Sequence, residues 1–69
     1  MPNASLLIIG DEILAGRTQD KNIAYIGDYL QQLGIDLVEV RIVPDEEDAI
    51  VSAVNDLRTK TIYLFTTGA

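Results

Sequence analysis

The chain contains 69 residues, of which 11 are acidic and 5 basic, and its formal net charge is −6. This length allows one small domain at most. The absence of cysteine and histidine excludes disulfides, a Cys/His zinc site, and catalysis by a thiolate or an imidazole. The acidic composition argues against nucleic-acid partners, and no apolar run is long enough for a membrane span or a signal peptide. We therefore expect a cytoplasmic protein without nucleic-acid or membrane partners.

The first predicted element is a strand that ends in charge. Residues 6–9 form an uninterrupted aliphatic run, which is typical of a strand buried on both faces of a parallel sheet. Gly10, Asp11 and Glu12 follow at once. Ligands of such sheets bind outside the carboxyl ends of the strands, and glycine lets the chain turn there without steric cost. The sequence therefore predicts a central strand that brings two carboxylates to a binding site.

An amphipathic helix and an edge strand are predicted next. Asp20 suits the N-cap of the helix, and Gly34 suits the position that ends it. The apolar residues of this helix recur at helical spacing and comprise Ile23, Ile26, Leu30 and Leu33. In residues 35–43, aliphatic side chains alternate with Glu39 and Arg41, which is the pattern of a half-exposed strand near a sheet edge.

A second helix and a third strand complete the pattern. Pro44 and Asp45 break the edge strand, and Asp45 with Asp48 resembles a capping pair. The apolar stripe of this second helix comprises Ile50, Ala53, Val54 and Leu57. Residues 61–65, β-branched and aromatic, predict a strand that leads into the Thr-Thr-Gly sequence of residues 66–68. The β-α-β-α-β order is that of one half of a doubly wound α/β fold, with three layers around a parallel sheet.

Three loops are expected to meet at one edge of this sheet. If the first and third strands are neighbours, their carboxyl ends flank the position at which such folds bind ligands. The loop at Gly10, the Pro44-Asp45 turn and the Thr67-Gly68 loop then share that edge. Glycine-containing turns and a carboxylate-held divalent cation both bind phosphate, even in an acidic chain. The arrangement therefore predicts a small phosphorylated ligand.

These motifs together resemble the molybdopterin-binding (molybdenum cofactor biosynthesis-like) domain. The resemblance rests on Gly-Asp-Glu-Ile-Leu at 10–14, Gly16, Asp20, Asn22, Val-Pro-Asp-Glu at 43–46 and Phe-Thr-Thr-Gly at 65–68. The Gly-Asp-Glu sequence is closest to the CinA-like (competence/damage-inducible protein A) branch. The family domain is about twice as long and continues into Thr-Gly-Gly-x-Gly-Pro-Thr and a pair of aspartates. Residues 1–69 are therefore interpreted as the N-terminal part of one such domain.

The resemblance implies a ligand with a phosphate or pyrophosphate group: molybdopterin, its adenylated form, or ADP-ribose and related dinucleotides. It implies metal-assisted pyrophosphate hydrolysis, with molybdopterin adenylyl transfer or non-catalytic binding and assembly as alternatives. Asp11 and Glu12 are the candidate ligands of Mg²⁺ or another divalent cation. Asp45 is the candidate catalytic residue, because resembling adenylyltransferases use an aspartate at this position. Relatives are often homo-oligomers, although this sequence shows no interface.

Six residues are candidates for ligand binding: Gly10, Asp11, Glu12, Asn22, Thr67 and Gly68. Each candidate has a structural alternative. The two carboxylates also suit a solvated loop without metal, Asn22 suits the start of a helix, and the Thr-Gly pair suits a simple turn. Asp45 also suits a helix cap.

The predicted fold leaves part of its sheet bare. Two helices and three strands bury little surface in a chain of this length, and an uncovered strand edge invites pairing with another chain. The sequence therefore predicts that these residues alone are poorly stable or associate.

Overall fold

The computed structural model describes residues 1–10 and 22–68, and the predicted β-α-β-α-β order is confirmed within them. Strand β1 comprises Asn3–Ile9, helix α1 Asn22–Gln32, strand β2 Asp36–Val43, helix α2 Glu47–Lys60 and strand β3 Tyr63–Gly68. Neither helix of this described part is long and apolar enough to cross a lipid bilayer.

Strand β1 is the centre of the sheet. The described strands are parallel and lie in the order β2-β1-β3. Ala4, Leu6, Leu7 and Ile8 are almost completely buried, on both faces of β1. Full burial of one leucine stabilises a fold by about 1.5–3 kcal/mol relative to its exposure. The central, doubly buried strand that the aliphatic run predicted is therefore confirmed, and its burial is a large part of what holds this small sheet together.

The two helices cover opposite faces of the sheet. The core on one face joins β1, β2 and α2 and comprises Leu7, Val43, Ala53 and Leu57. Leu37 pairs with Ala4 of β1 and points to the other face. There Gly27 of α1 lies so near Leu37 that an added Cβ would be 3.7 Å from the leucine side chain. Helix α1 therefore packs over β2 on the face opposite α2.

Glycine ends helix α1 as predicted. Gly34 has φ +79°, and the N–H groups of Gly34 and Ile35 donate to the carbonyls of Gln31 (3.0 Å) and Leu30 (2.9 Å). These two bonds form a Schellman motif, which satisfies the last helical carbonyls and needs a left-handed residue. Leu33, predicted as the end of the buried stripe, is exposed because the helix has already ended at Gln32. The predicted N-cap, Asp20, lies outside the described residues.

Strand β2 lies at the sheet edge as predicted, but its exposure does not follow simple alternation. Val38 and Val40 are 55% and 37% exposed, whereas the side chains of Glu39 and Arg41 are only 32% and 29% exposed. Helix α2 lies over the face that carries the two charged side chains, and Asp56 of α2 pairs with Arg41. The register between β1 and β2 also shifts between Ala4 and Ser5, which leaves Val38 without a partner on β1.

Strand β3 begins later than the predicted Thr61, because Thr61 instead ends α2. Its N–H donates to the carbonyl of Leu57 at 3.2 Å, and its hydroxyl donates to the carbonyl of Tyr63 at 3.0 Å. The Thr61 and Ser5 hydroxyl oxygens are 2.9 Å apart and buried, so they form a hydrogen bond. The N–H of Ile62 donates to Oδ1 of Asn3 at 2.9 Å. These polar contacts fix the start of β3 against the start of β1.

The two glycines of the first crossover should respond in opposite ways to the same substitution. Gly34→Ala places a Cβ on a left-handed residue that has no atom within 4 Å, so it should destabilise the fold by about 1 kcal/mol through backbone strain alone. Gly27→Ala meets Leu37 at an ordinary 3.7 Å and should stabilise α1 by about 0.5–1 kcal/mol. Urea unfolding of both variants measures the difference, and shifts of the same sign would contradict the helix end described above.

Candidate functional site

The three predicted loops meet at the carboxyl edge of the sheet. Ile9, the last residue of β1, has Val43 of β2 as its Cα partner on one side and Gly68 of β3 on the other. The N–H of Gly10 donates to the carbonyl of Val43 at 3.0 Å, so the chain leaves β1 tied to the end of β2. We call this edge, formed by Ile9, Gly10, Val43, Thr67 and Gly68, the carboxyl rim. The predicted convergence is therefore confirmed for the described parts of the three loops.

Gly68 is a glycine for reasons of packing. A Cβ at this position would lie 2.7 Å from both Cβ and the carbonyl oxygen of Ile9, and φ of Gly68 is +151°. The backbones of β3 and β1 therefore approach at the rim more closely than any side chain allows. Gly68 is nevertheless exposed to solvent.

Asp45 lies two residues beyond the rim residue Val43, on the exposed turn between β2 and α2. The N–H of Glu46 donates to the carbonyl of Pro44 at 2.8 Å, which tightens this turn. Glu46, and not the predicted Asp45, occupies the N-cap position: its backbone is extended and its carbonyl accepts from the N–H of Ile50 at 3.0 Å. The side chain of Glu46 makes no capping hydrogen bond. The prediction that Asp45 is the N-cap residue of α2 is therefore wrong by one position.

The turn that follows Val43 and the start of α2 are acidic. Residues 45–48 are four consecutive carboxylates, all exposed. Among residues 1–10 and 22–68, no group of three or more acidic side chains has the arrangement of a metal site. The basic residues of the same ranges are Arg41, Arg58 and Lys60. Arg41 lies within β2 and the other two lie in the last turn of α2, so none lies in the segment that directly follows the carboxyl end of a strand. Among the described residues, backbone N–H groups and hydroxyls are therefore the groups that can meet an anionic ligand at this rim.

An ion-pair network holds helix α2 on the edge strand. Arg41 Nη1 lies 2.8 Å from Asp56 Oδ2, and Lys60 Nζ lies 3.1 Å from the same oxygen. Hydrogen bonds from Arg41 and then Lys60 lower the pKa of Asp56 below its ordinary value. Hydrogen bonds to Asp56 and Glu39 raise the pKa of Arg41. The network fixes the helix that follows Asp45, so it contributes to the position of the turn at the rim.

The remaining candidates are not placed by the structure. Asp11 and Glu12, the predicted metal ligands, lie outside the described residues. Asn22 is the first residue of α1, in keeping with its predicted alternative as a helix start, and its side chain is outside the described part. Reasoning from the sequence missed the pair of Arg41 with Asp56. The Asp56/Lys60 spacing of four residues was the available signal, but it does not indicate which strand the helix covers.

The chain matches a protein family and several known proteins. The model of a family described as a probable molybdopterin binding domain matches residues 5–69. A protein of Caldivirga maquilingensis is 42% identical over 65 residues, which are 94% of this chain and 25% of that protein. A probable FAD synthase of Caenorhabditis briggsae is 34% identical over 65 residues, which are 94% of this chain and 12% of that protein.

A solved structure matches the fold closely. The crystal structure of the protein CinA of Thermoplasma acidophilum has a TM-score of 0.88 at 32% sequence identity, over 94% of this chain and 38% of that chain. This agreement supports the α/β architecture of the rim. The chain spans a quarter or less of the two relatives above and well under half of CinA.

Gly68→Ala should destabilise the fold by about 1–3 kcal/mol, because the added methyl group overlaps the backbone of Ile9. The overlap involves the Ile9 carbonyl as well as its side chain, so the double variant Ile9→Ala/Gly68→Ala should show no rescue of the Gly68→Ala effect. Chemical unfolding of the four proteins in this cycle measures the coupling. Full rescue by the smaller side chain would contradict a backbone clash.

In the Asp56→Asn variant, the free energy of unfolding should fall less steeply than in the wild type as the pH is lowered into the acid range. Because the folded state lowers the pKa of Asp56, its contribution is present above the ordinary aspartate value of about 3.8–3.9 and is lost as pH falls through the lower, folded value. Urea unfolding from pH 6 down to about pH 2 measures this loss. The control, Asp28→Asn, removes an exposed carboxylate of α1 and should retain the wild-type profile. An unchanged acid slope in Asp56→Asn would contradict the network.

Proposed function

The chain belongs to the family of probable molybdopterin binding domains, and we propose that it binds a phosphorylated pterin or nucleotide at the carboxyl rim. The observation that carries this proposal is the pairing of Ile9 with both Val43 and Gly68. That register puts three loops at the edge where parallel α/β sheets bind their ligands. Few groups of the described rim can bind such a ligand, and they include backbone N–H groups as well as side chains.

Phosphate recognition falls to Thr67 and Gly68, because Gly10 is buried and its N–H already donates to the carbonyl of Val43. Gly68 presents exposed backbone without a side chain, and Thr67 beside it offers a hydroxyl donor. Gly10 begins the loop after β1 and carries the chain toward the Asp-Glu pair. Turns rich in glycine bind phosphate through their N–H groups, since no Cβ blocks the approach. Neither Thr67 nor Gly68 carries a charge that would repel the ligand.

A divalent cation fits the chemistry of this rim. Mg²⁺ takes one or two carboxylates together with the phosphates of a ligand, and Asp45 supplies an exposed carboxylate at the turn. Asp11 and Glu12 are the further candidates, on the strength of the sequence. Bound there, the cation would neutralise phosphate charge and activate water. Through this cation, Asp45 would position the ligand's phosphates beside Gly68. The neighbouring carboxylates would repel an anionic ligand that arrives without a cation.

Hydrolysis of a pyrophosphate bond, as in ADP-ribose, is the reaction that we propose for the whole protein. Water attacks one phosphorus, the bridging oxygen leaves with the other phosphate, and two phosphate monoesters result. The second candidate is adenylyl transfer, in which the phosphate of a pterin attacks the α-phosphorus of ATP, the bond between the α- and β-phosphates breaks, and pyrophosphate leaves. The name of one relative supports this second candidate. The Caenorhabditis briggsae protein is named a probable FAD synthase, and FAD is a dinucleotide.

The test uses the longest natural form of the polypeptide that carries this sequence. Calorimetric titration with ADP-ribose, AMP, ATP and a phosphorylated pterin, singly and with ATP and the pterin together, with Mg²⁺ and with EDTA, measures binding. Phosphorus NMR of the same mixtures measures cleavage or adenylyl transfer. Binding that depends on the phosphate and on Mg²⁺ supports the proposal. Binding without turnover would leave a non-catalytic module, and binding of none of these ligands would refute the site.

Asp45→Asn should reduce Mg²⁺-dependent cleavage by about a hundredfold or more, because it removes charge from the cation and phosphates. Asp48→Asn is the matched control: it removes the same charge from the first turn of α2, three residues farther along the chain. The control should retain activity within about threefold. Equal losses in both variants would mean that general surface charge, and not Asp45, supports the reaction.

A further inference from the structure

The pair of Arg41 and Asp56 spans the turn that carries Asp45. Arg41 lies two residues before Val43, the last residue of β2, and Asp56 lies nine residues after the first residue of α2. Arg41 Nη1 and Asp56 Oδ2 are 2.8 Å apart. Only the three residues 44–46 connect the strand to the helix. The contact therefore closes a short loop of the chain, in which the turn is held from both of its ends.

Each partner of this pair is oriented by a neighbour on its own element. Arg41 Nη2 donates to Glu39 Oε2 within β2, which leaves Nη1 to reach α2. Lys60, one turn farther along α2, lies 3.1 Å from the Asp56 oxygen that Arg41 contacts. A planar guanidinium that binds two carboxylates accepts a narrower range of geometries than a point charge does. The contact between the strand and the helix is therefore directional.

The apolar core constrains α2 in a different way. Ala53 and Leu57 hold the helix on the sheet, but the burial of apolar surface is non-directional. It fixes less closely how far the helix lies along the strands, and the pair of Arg41 with Asp56 supplies this constraint. Because backbone hydrogen bonds keep an α-helix rigid along its axis, a shift at Asp56 moves the first turn of α2, and the turn before it, by a similar amount.

We propose that Arg41 is a positioning residue of the site at the carboxyl rim, an inference that rests on the function proposed above. Through Asp56, Arg41 holds α2 where the preceding turn presents Asp45 to the cation. Arg41 itself does not bind the ligand, because its guanidinium is engaged at Asp56, about 14 Å along the helix axis from the start of α2. Misplacement of a reacting group by about 1 Å costs up to about a hundredfold in rate, so a contact remote from the chemistry can govern the reaction.

The test uses the longest natural form of the polypeptide and measures turnover of ADP-ribose, or of ATP with a phosphorylated pterin, as a function of Mg²⁺ concentration. Arg41→Met keeps most of the apolar stem and removes the charge. It should lower turnover about tenfold and raise the Mg²⁺ concentration for half-maximal turnover about fivefold. A variant that is only less stable contains less active protein, and its Mg²⁺ dependence stays unchanged.

Arg58→Met is the matched control. It removes the same charge from the last turn of α2, and the ion pairs among the described residues do not include Arg58. Turnover and Mg²⁺ dependence should both stay within about twofold of the wild type. Equal effects of Arg41→Met and Arg58→Met would refute the positioning role and leave the proposed function intact. A wild-type protein that turns over neither substrate would instead refute the proposed reaction, and this inference with it.

A double-mutant cycle separates positioning from direct contact with the ligand. If Arg41 acts through Asp56, Asp56→Ala should lower turnover to the same extent, and the double variant should lose no more than either single variant. Additive losses would show that the two residues act independently and would overturn the proposal. Asp56 is half-exposed, so Asp56→Ala keeps the test decisive if Arg41→Met fails to fold.

Amide NMR without metal or ligand reports on the turn itself. Arg41→Met and Asp56→Ala should both shift the amide resonances of Asp45 and Glu46, whereas Arg58→Met should leave them in place. Arg41→Lys keeps the charge but lacks the planar fork, so its shifts should lie between those of the wild type and Arg41→Met. Unshifted amides in the turn of Arg41→Met would contradict the positioning role, whatever the effect of this variant on turnover.

Discussion

The parallel pairing of β1 on both of its sides is the constraint on which this structure depends. Residues 6–8 are buried on both faces, which is possible only for a strand with neighbours on each side and helices above and below. Once β1 is central, its last residue must lie between the ends of the other two strands. The carboxyl rim is therefore a consequence of the burial of β1, and its geometry does not depend on any particular side chain in the loops.

The electrostatics of the rim follow from this backbone arrangement. The turn after β2 and the first turn of α2 carry four carboxylates, while the end of β3 carries two threonines and a glycine. The rim thus has an acidic side and a neutral side, separated by the end of β1. Arg41 and Lys60, which could have offset the acidic side, are engaged by Asp56 farther from the rim. A cation bound by the acidic side and phosphates bound by the neutral side would be a complementary pair.

The sequence predicted those features that depend on local chemistry. Four consecutive aliphatic residues identified the central strand, and Gly34 marked the end of α1 because only a left-handed residue closes a Schellman motif there. Features that depend on tertiary contacts were missed. The exposure of Val40 and the partial burial of Arg41 depend on which face α2 covers, and periodicity cannot report that. Gly68 was read as a phosphate-binding turn, whereas its close approach to Ile9 appears only when the two strands are adjacent.

Neither described helix covers the face of β3 that carries Tyr63 and Phe65, and the reason is the topology of the sheet. The chain crosses from β1 to β2 in one direction and from β2 past β1 to β3 in the other. Since both crossovers are expected to have the same hand, the two helices must lie on opposite faces. Helix α2 packs on one face of the sheet, against all three described strands. Helix α1 packs on the opposite face, against β2. The aromatic face of β3 is the part that neither crossover can reach. Tyr63 and Phe65 are therefore exposed by the order of the strands, and a sequence with this order must place either a partner or further polypeptide over them, or keep them polar. Both side chains are aromatic, and exposed aromatic surface commonly marks a contact with other polypeptide, either of the same protein or of a partner.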